Sequence, residues 1–439
     1  MSDNLSDKTA LVWDNGLFAC LAMHLSQAFN KNGFGRVLYH VPQDEAYPSL
    51  AESIIGDGLG IIERCDDPWE VVGEVDLFLF PNRGNIGPQL HLESIEKRVI
   101  GSRRGSDLET FKSRLRKLQA KLGMDVPPHT LVRGVTKLRE VLKEREDFHI
   151  KVDRWRHDME TWHWRDWKQD EGELDKLAVR FGPFKELVLF LVEDAIETEL
   201  EIGVDIFTVD GNYPNWASSG VEKKDKTYLT FLREYADLPD EIKAAIEPLS
   251  GTLRDFRYRN FMSTEQRVTE DKNYLTDFTA RLGFPSGPCQ VRLYANLPQL
   301  LWHGAAGELI DIEPAGKVAI ECLMDHSTPE TDWRSLRVDE DVLPWVNLTN
   351  PCKLGDVNLT PPIDIRDSCI GSVTGIGDDV KEAVEHVMEI VETFSGQPVS
   401  FKTECLKELV EEVEKASDKG IELSDEPMPE AEDLETKDD

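Results

Sequence analysis

Two carboxylates stand twelve residues apart on neighbouring apolar-patterned runs: Glu265 within residues 260–268 and Asp277 within residues 272–281. The turn residues Glu270-Asp271-Lys272-Asn273 between the runs predict an antiparallel hairpin on which the two carboxylates converge. Two carboxylates completed by water and phosphate oxygens are a hard ligand set, suited to magnesium shared with a nucleotide. On a solvent-facing edge strand the same residues would only keep that edge from pairing.

Two lysines are the next candidates. Lys151 interrupts the apolar run Phe148-His149-Ile150-Lys151-Val152, and Lys112 lies in a helix-patterned segment beside Arg114, Arg116 and Lys117. A buried ammonium needs an anion, and phosphate is one; on the solvent side of a half-exposed strand Lys151 needs none. Further on, Val192-Glu193-Asp194-Ala195-Ile196 closes one apolar run and Glu201 opens another. A strand-to-loop crossing of this kind presents backbone groups to an adenine while a carboxylate holds ribose hydroxyls; otherwise Glu197, Glu199 and Glu201 are a polar loop. The run from Arg154 to Trp167 carries four tryptophans among arginines, with His157 and His163. Aromatics interleaved with arginine stack bases in single-strand binders, or make a loop over a small anion.

The elements that must position these residues follow from pattern. The chain has 439 residues, 40% of them hydrophobic, so a sizeable core spread over several domains is expected. Its 84 acidic residues against 50 Lys and Arg give a net charge of −34, which disfavours nucleic-acid backbones and anionic membranes. No run nears the roughly 18 apolar residues of a membrane span, and Met1-Ser2-Asp3-Asn4 is acidic where a signal peptide is basic. A soluble, cytoplasmic protein is expected. The seven cysteines are scattered without a CxxC, so neither a disulfide framework nor a zinc site is indicated.

Residues 9–16 read as a strand and 17–30 as a helix, followed by short apolar runs at 36–40, 60–62, 75–80 and 98–100: a small open α/β sheet. Its first turn, Asp14-Asn15-Gly16, carries no dinucleotide fingerprint. A helix is expected over 106–122, with Ser106 as N-cap, Glu109 three residues on and Gly123 as its stop. Strand-like runs recur at 129–134, 148–152, 186–194 and 201–211, and an amphipathic helix at 376–395. Residues 421–439 hold nine acids and one lysine, and read as a disordered acidic tail. The expected units are 1–105, an N-terminal α/β domain; 106–330; 331–415, a small C-terminal domain; and 416–439, the tail.

This order of parts resembles the ATP-grasp superfamily, and within it the glycinamide ribonucleotide synthetase family, whose metal strand runs acid-x-Asn-x-Arg-Phe-Gly-Asp-Pro-Glu. Asp277-Phe278-Thr279-Ala280-Arg281-Leu282-Gly283-Phe284-Pro285-Ser286 is similar in spacing, and residues 296–309 and 375–383 resemble later family segments. The resemblance implies an α/β (α+β) ATP-grasp fold with an N-terminal pre-ATP-grasp domain, and the cofactors ATP and Mg2+, with Mn2+ as a substitute. By it Lys112 and Lys151 contact phosphates, Glu193, Asp194, Ala195 and Ile196 line adenine, and Glu201 holds the ribose, with Glu199 as the alternative register. Glu265 and Asp277 bind two magnesium ions with Thr279 completing the shell. Arg281 steadies the transferred phosphate, and Arg257 or Arg259 neutralises the carboxylate substrate or acyl phosphate.

The sequence departs from that pattern in several places. The segment after Lys151 lacks the glycines of the family's phosphate-covering loop, leaving Arg154 or Arg156 for that task; Asp277 stands for Glu; Thr279 stands for Asn; and Phe284 and Ser286 stand for the Asp and Glu of the family's Gly-Asp-Pro-Glu, which argues against glycinamide ribonucleotide synthesis itself. The expected activity is an ATP-dependent carboxylate–amine ligase, joining a small carboxylate to an amine acceptor through an acyl phosphate. The rival expectation is an inactive ATP-grasp-like interaction or structural protein. A third has the Trp/Arg run gripping single-stranded nucleic acid.

Overall fold

A computed structural model describes residues 4–43, 50–154, 161–197, 200–329, 331–362, 369–426 and 428–429. Strands β1 (Thr9–Trp13), β2 (Arg36–His40), β3 (Glu63–Arg64), β4 (Leu77–Leu79) and β5 (Arg98–Ile100) form a parallel sheet in the order β3-β2-β1-β4-β5. A parallel sheet is covered on both faces, which is why these strands read as continuous apolar runs. The strand expected at 60–62 lies at Glu63–Arg64, with Ile62 turned into the core. The sheet order changes direction between β1 and β4. There the buried Asp14 carboxylate accepts hydrogen bonds from the Phe18 N–H, the Tyr39 hydroxyl and the Asn82 amide at 2.6–2.7 Å, tying the two loops together. Burial, the largest influence, raises the Asp14 pKa against these donors.

The second sheet holds β6 (His129–Arg133), β7 (Phe148–Val152), β8 (Thr161–Trp164) and β9 (Leu189–Asp194), antiparallel in the order β6-β9-β7-β8. Strand alternation decides its two faces. Ile150, Val152, Trp164, Phe190 and Val192 pack on helices Val135–Leu142 and Trp167–Phe181. His149, Lys151, His163 and Glu193 therefore take the other face. Of the tryptophans expected to stack bases, Trp164 is fully buried, and Trp162 and Trp167 pack against the same core. The described part of the Trp/Arg run is thus a core strand and a helix start; residues 155–160, with Arg156 and His157, lie outside the described residues.

The helix expected over 106–122 is two helices, Ser106–Thr110 and Lys112–Leu122, broken at Phe111, whose backbone is extended and bridges Arg154. Glu109 does not close a capping box: its carboxylate reaches Ala280 N–H and Arg281 instead.

The third sheet is built from β10 (Glu201–Val209), β11 (Trp216–Lys223), β12 (Thr227–Glu234), β13 (Arg259–Val268), β14 (Asn273–Thr279) and β15 (Val318–His326). Short strands β16 (Arg334–Leu336), β17 (Val346–Leu348), β18 (Cys352–Leu354) and β19 (Val357–Thr360) follow, then β20 (Cys369–Gly377) and β21 (Val399–Phe401). The order is β14-β13-β10-β11-β12-β15-β20-β17, with β21 beside β15 and β16-β19-β18 separate. A boundary at 330 therefore divides one sheet, since β15 and β20 are paired neighbours. Ile202, Val204 and Ile206 face a core shared with helices Val380–Glu392 and Leu406–Asp418. Gly203, Asp205 and Phe207 alternate to the opposite face.

The chain does not turn to tail at 416. Helix Leu406–Asp418 runs on, Ile421 and Leu423 are buried, and Arg233 holds the Glu422 carbonyl and Asp425. Residues 427 and 430–439 lie outside the described residues. Among the described residues no helix is long and apolar enough to cross a membrane.

Trp164→Ala empties the centre of the small core and removes the Nε1 hydrogen bond to the Arg145 carbonyl. The expected cost is about 3–5 kcal/mol in urea denaturation; a loss below about 1 kcal/mol would show that this core repacks freely.

Candidate functional site

The β13–β14 hairpin puts Glu265 directly opposite Asp277. Next to that pair the register slips: Gln266 faces Leu275, leaving Thr276 as the extra residue of a bulge. Its hydroxyl folds back to donate to the Glu265 carbonyl at 3.0 Å and carboxylate at 2.9 Å. The bulge thus fixes both carboxylates on the face that carries Gly203 and Asp205. They line a pocket of about 150 Å³ with Glu201, Glu222, Tyr228, Ser263, Thr279, Arg281 and Ser286.

Beneath the hairpin lies a network of buried charge. Lys112, 1% exposed, donates to both Asp277 oxygens at 2.8 and 2.9 Å. Lys151 Nζ lies 3.2 Å from Glu193 Oε2 and donates to the Thr276 carbonyl at 3.2 Å. Arg116 grips Glu193 with two nitrogens and donates to the Leu275 and Thr276 carbonyls at 3.0 and 2.7 Å. Burial alone would raise the Glu193 carboxyl, but Lys151 and Arg116 hold it down at about 2. Burial likewise opposes ionisation of Asp277, and Lys112 and Lys151 bring it to about 2. The helix that supplies Lys112 and Arg116 is anchored at its start: Asp153, one residue past β7, accepts from Lys112 N–H at 3.0 Å and from Ser113 N–H at 2.6 Å.

The structure gathers Glu201, Glu265, Asp277, Thr279 and Arg281 at one pocket, with Lys112 and Lys151 beneath it. Glu201 is paired with Arg267 and remains exposed, and desolvation by its neighbours, then the Glu265 charge, raise its pKa. Arg281 is steadied by Glu109 at 3.0 Å. Glu193 does not line an open slot, because its carboxylate is spent on Arg116 and Lys151. Asp194, Ala195 and Ile196 lie at the crossing from β9 to β10, where the Asp194 and Ala195 N–H groups already donate to the Pro128 and Asp147 carbonyls. Glu199 lies outside the described residues.

Arg257 and Arg259 do not reach the pocket. Arg259 opens β13, six residues from Glu265 and so roughly 20 Å away along an extended strand. It is spent on Asp210, with Nη2 to Oδ2 at 2.7 Å, and on the Ala305 carbonyl at 2.7 Å. Arg257 is half-exposed, 3.6 Å from Glu93.

Two acidic residues of the pocket escaped the sequence reading. Asp205 is buried and accepts from the hydroxyls of Tyr228 and Ser286, and burial raises its pKa. Glu222 stays exposed at the pocket, where desolvation by the pocket wall and then the Glu265 charge raise its carboxyl. Period-two alternation from Glu201 through Gly203 signals Asp205; nothing local signals Glu222, because its place depends on how β11 pairs with β10.

Among the described residues no three His, Cys, Asp or Glu side chains converge as a complete metal site. The fit to magnesium rests on Asp277 itself: both its oxygens already hold a cation, the Lys112 ammonium, in a carboxylate-rich pocket. Two carboxylates and a hydroxyl leave the remaining ligand positions to water and phosphate oxygens, as magnesium prefers.

No protein-family model and no curated protein matches this sequence. Solved structures do match over nearly the whole chain. Phosphoribosylamine–glycine ligase from Thermotoga maritima superposes with a TM-score of 0.64 at 16% identity, covering 90% of this chain and 97% of that one. The biotin carboxylase domain of 2-oxoglutarate carboxylase from Hydrogenobacter thermophilus, solved with MgADP, ADP and bicarbonate, gives 0.60 at 14%, covering 95% and 96%. N5-carboxyaminoimidazole synthetase from Staphylococcus aureus gives 0.54 at 13%, covering 89% and 98%. These are ATP-grasp enzymes, and the chain has the ATP-grasp fold.

Two predictions follow from these placements. Glu193 titrates near 2 in the fold against an ordinary 4.5, so its contribution is complete above about pH 5 and lost as pH falls toward 2. Glu193→Gln should lower stability at pH 7 by an amount on the order of 3 kcal/mol and flatten its pH dependence between 5 and 2, read by urea denaturation. An unchanged acid profile would show that the network does not hold this charge. Arg259→Ala should lower the Tm while leaving nucleotide binding within about twofold, since its partners are structural; loss of binding at unchanged Tm would return Arg259 to the site.

Proposed function

We propose that this chain is an ATP-dependent carboxylate–amine ligase acting on a small carboxylate, with ATP and two magnesium ions, which manganese can replace. The observation that carries the reading is the apposition of Glu265 and Asp277 in a pocket with Arg281, directly above the buried lysines Lys112 and Lys151. The ATP-grasp fold and a structural neighbour solved with MgADP support it.

The nucleotide supplies the phosphoryl group that activates the substrate carboxylate as an acyl phosphate, from which an amine displaces phosphate. The protein's part is positioning and electrostatics. Lys112 and Lys151 hold phosphate oxygens, and Glu193 keeps the Lys151 ammonium aimed toward β14. Glu265, Asp277 and Thr279 hold the magnesium ions. Arg281, braced by Glu109, neutralises charge on the transferred group. The crossing at 194–196 borders the base, and Glu201 holds the ribose.

A second reading, a nucleotide-binding protein without turnover, draws on the absence of glycine between Lys151 and Thr161 and on a pocket lined by one cation, Arg281, against five carboxylates.

Calorimetric titration with a non-hydrolysable ATP analogue should show magnesium-dependent binding, and ADP release should accompany turnover once acids and amines are screened. Asp277→Asn should reduce turnover by at least about 100-fold, as loss of a charge-stabilising group does, with little change in Tm. A variant with full turnover would sink the assignment.

A further inference from the structure

Helix Ser286–Leu293 packs on the face of the third sheet where Tyr228, Glu321 and Thr374 stand in one row, Tyr228 opposite Glu321 and Glu321 opposite Thr374. At the helix start the Ser286 hydroxyl donates to Asp205, which also accepts from Tyr228. The last turn carries Arg292, whose Nε and Nη1 donate to the Pro344 and Pro288 carbonyls at 3.0 Å. Neighbours therefore run from Glu321 through Tyr228, Asp205 and Ser286 along the helix to Arg292, and a gap separates the two ends. Arg292 and Glu321 are 5% and 0% exposed, and the Arg292 charge reaches Glu321, yet among the described residues the two form no ion pair. The Thr374 hydroxyl serves one Glu321 oxygen, while Glu321 Oε1 and Arg292 Nη2 are both buried without a hydrogen-bond partner. Opposite charges buried apart cost more than the same charges in contact, and a proton on Glu321 removes one of them.

We propose that Arg292 and Glu321 are the two halves of a proton-operated latch: they stand apart while Glu321 carries its proton, and when that proton leaves to solvent Arg292 closes on the carboxylate, drawing the end of helix Ser286–Leu293 toward β15 and carrying the shift through Ser286 to the pocket wall. Burial pushes the Glu321 carboxyl up to about 7, against the pull of Arg292 and of the Ser372 and Thr374 hydroxyls. Its ordinary value is 4.5, so the fold holds this proton more tightly than the unfolded chain does. The contribution of Glu321 to stability therefore falls as pH rises from about 4.5 to about 7 and is level above that. The titratable groups around the pair, among the described residues, are Cys20 of helix Ala19–Leu25, Cys289 of helix Ser286–Leu293, Cys322 of β15 and the Tyr228 hydroxyl, all raised by burial away from this range. His24 faces Arg292, and burial lowers it to about 3. Asp205, a buried acid beyond Tyr228, is kept in every variant below.

Urea denaturation of the full chain tests the two charges separately. As pH rises from about 5 to about 8.5, the folding equilibrium constant of wild type should drop at least about tenfold relative to Glu321→Gln, which keeps the shape and cannot ionise. Measured in the Arg292→Leu background, the same drop should be at least about tenfold larger, because the carboxylate then ionises without its partner. Crystals of wild type equilibrated at about pH 5.5 and about pH 8.5 should show the gap open and then closed to hydrogen-bond distance, with Glu321→Gln open at both.

Equal pH dependence in wild type and Glu321→Gln overturns the titration that the latch needs. An equal drop with and without Arg292 overturns the pairing, and a gap unchanged between the two crystal conditions overturns the closure. The link to the pocket rests on the ATP reading above: the ratio of ATP-analogue affinities at the two pH values should differ at least about threefold between wild type and Glu321→Gln. Equal ratios overturn that link. Wild type that binds no nucleotide at either pH overturns the ATP reading, while denaturation and the crystals still decide the latch.

Discussion

Glu193 is the charge on which the site depends. It is the last residue but one of β9, with 4% of its surface exposed, and it stays ionised because Arg116 and Lys151 close on it. Arg116 comes from the helix Lys112–Leu122 and Lys151 from β7, and both also reach carbonyls of β14. One buried carboxylate therefore joins the helix and the four-stranded sheet to the hairpin that carries Asp277. A pair of this kind adds little net stability over apolar packing, but removing one member leaves charge stranded in the interior. Its value here is positional, fixing where the two lysines stand.

The other boundaries of the pocket are fixed in the same way. Arg259 ties β13 to Asp210 and to the end of helix Leu297–Ala306, and Gly101 bridges it from the parallel sheet. The Asn260 amide and the Leu282 N–H reach the Phe80 and Pro81 carbonyls in the loop after β4. Asp14 holds that same loop through Asn82. The carboxyl ends of β1 and β4, where open α/β sheets place their ligands, thereby abut the far rim of the pocket. Charged side chains that resemble catalytic arginines in the sequence are here the fasteners between sheets.

Much of this was legible residue by residue. The strands of the parallel sheet and the hairpin with its paired acids follow from local pattern and turn chemistry, whereas the burial of Lys151, left open by pattern, was decided by the sheet that covers it. Phe111 was not legible as a break, because nothing in Ser106–Leu122 interrupts helical periodicity. What interrupts it is the backbone bridge to Arg154, forty-three residues on. Glu109 looked like a capping partner and serves Arg281 instead, standing near the end of a helix, Ser106–Thr110, that is only five residues long. The tail was placed too early because acidic composition outweighed Ile421 and Leu423, two apolar residues that suffice to dock the segment.

The sequence by itself marked Lys151 and Glu193 as charges set in or at the end of apolar runs, Glu265 and Asp277 as acids on one hairpin, and Lys112 as one of several basic residues on a helix. Only the tertiary structure decided who the partners are. Lys112 meets Asp277 across 165 residues of chain, and Arg116 meets Glu193 across 77. Periodicity reports which face of an element is buried, a property of neighbours three or four positions away. Pairing across sheets depends on strand order, register and a single bulge at Thr276, which no local window contains. That is why the acids Glu201, Glu265 and Asp277 stand at one pocket as their spacing suggested, while Arg259 lies away from it on Asp210 and the Ala305 carbonyl, and Asp205 and Glu222 were not singled out.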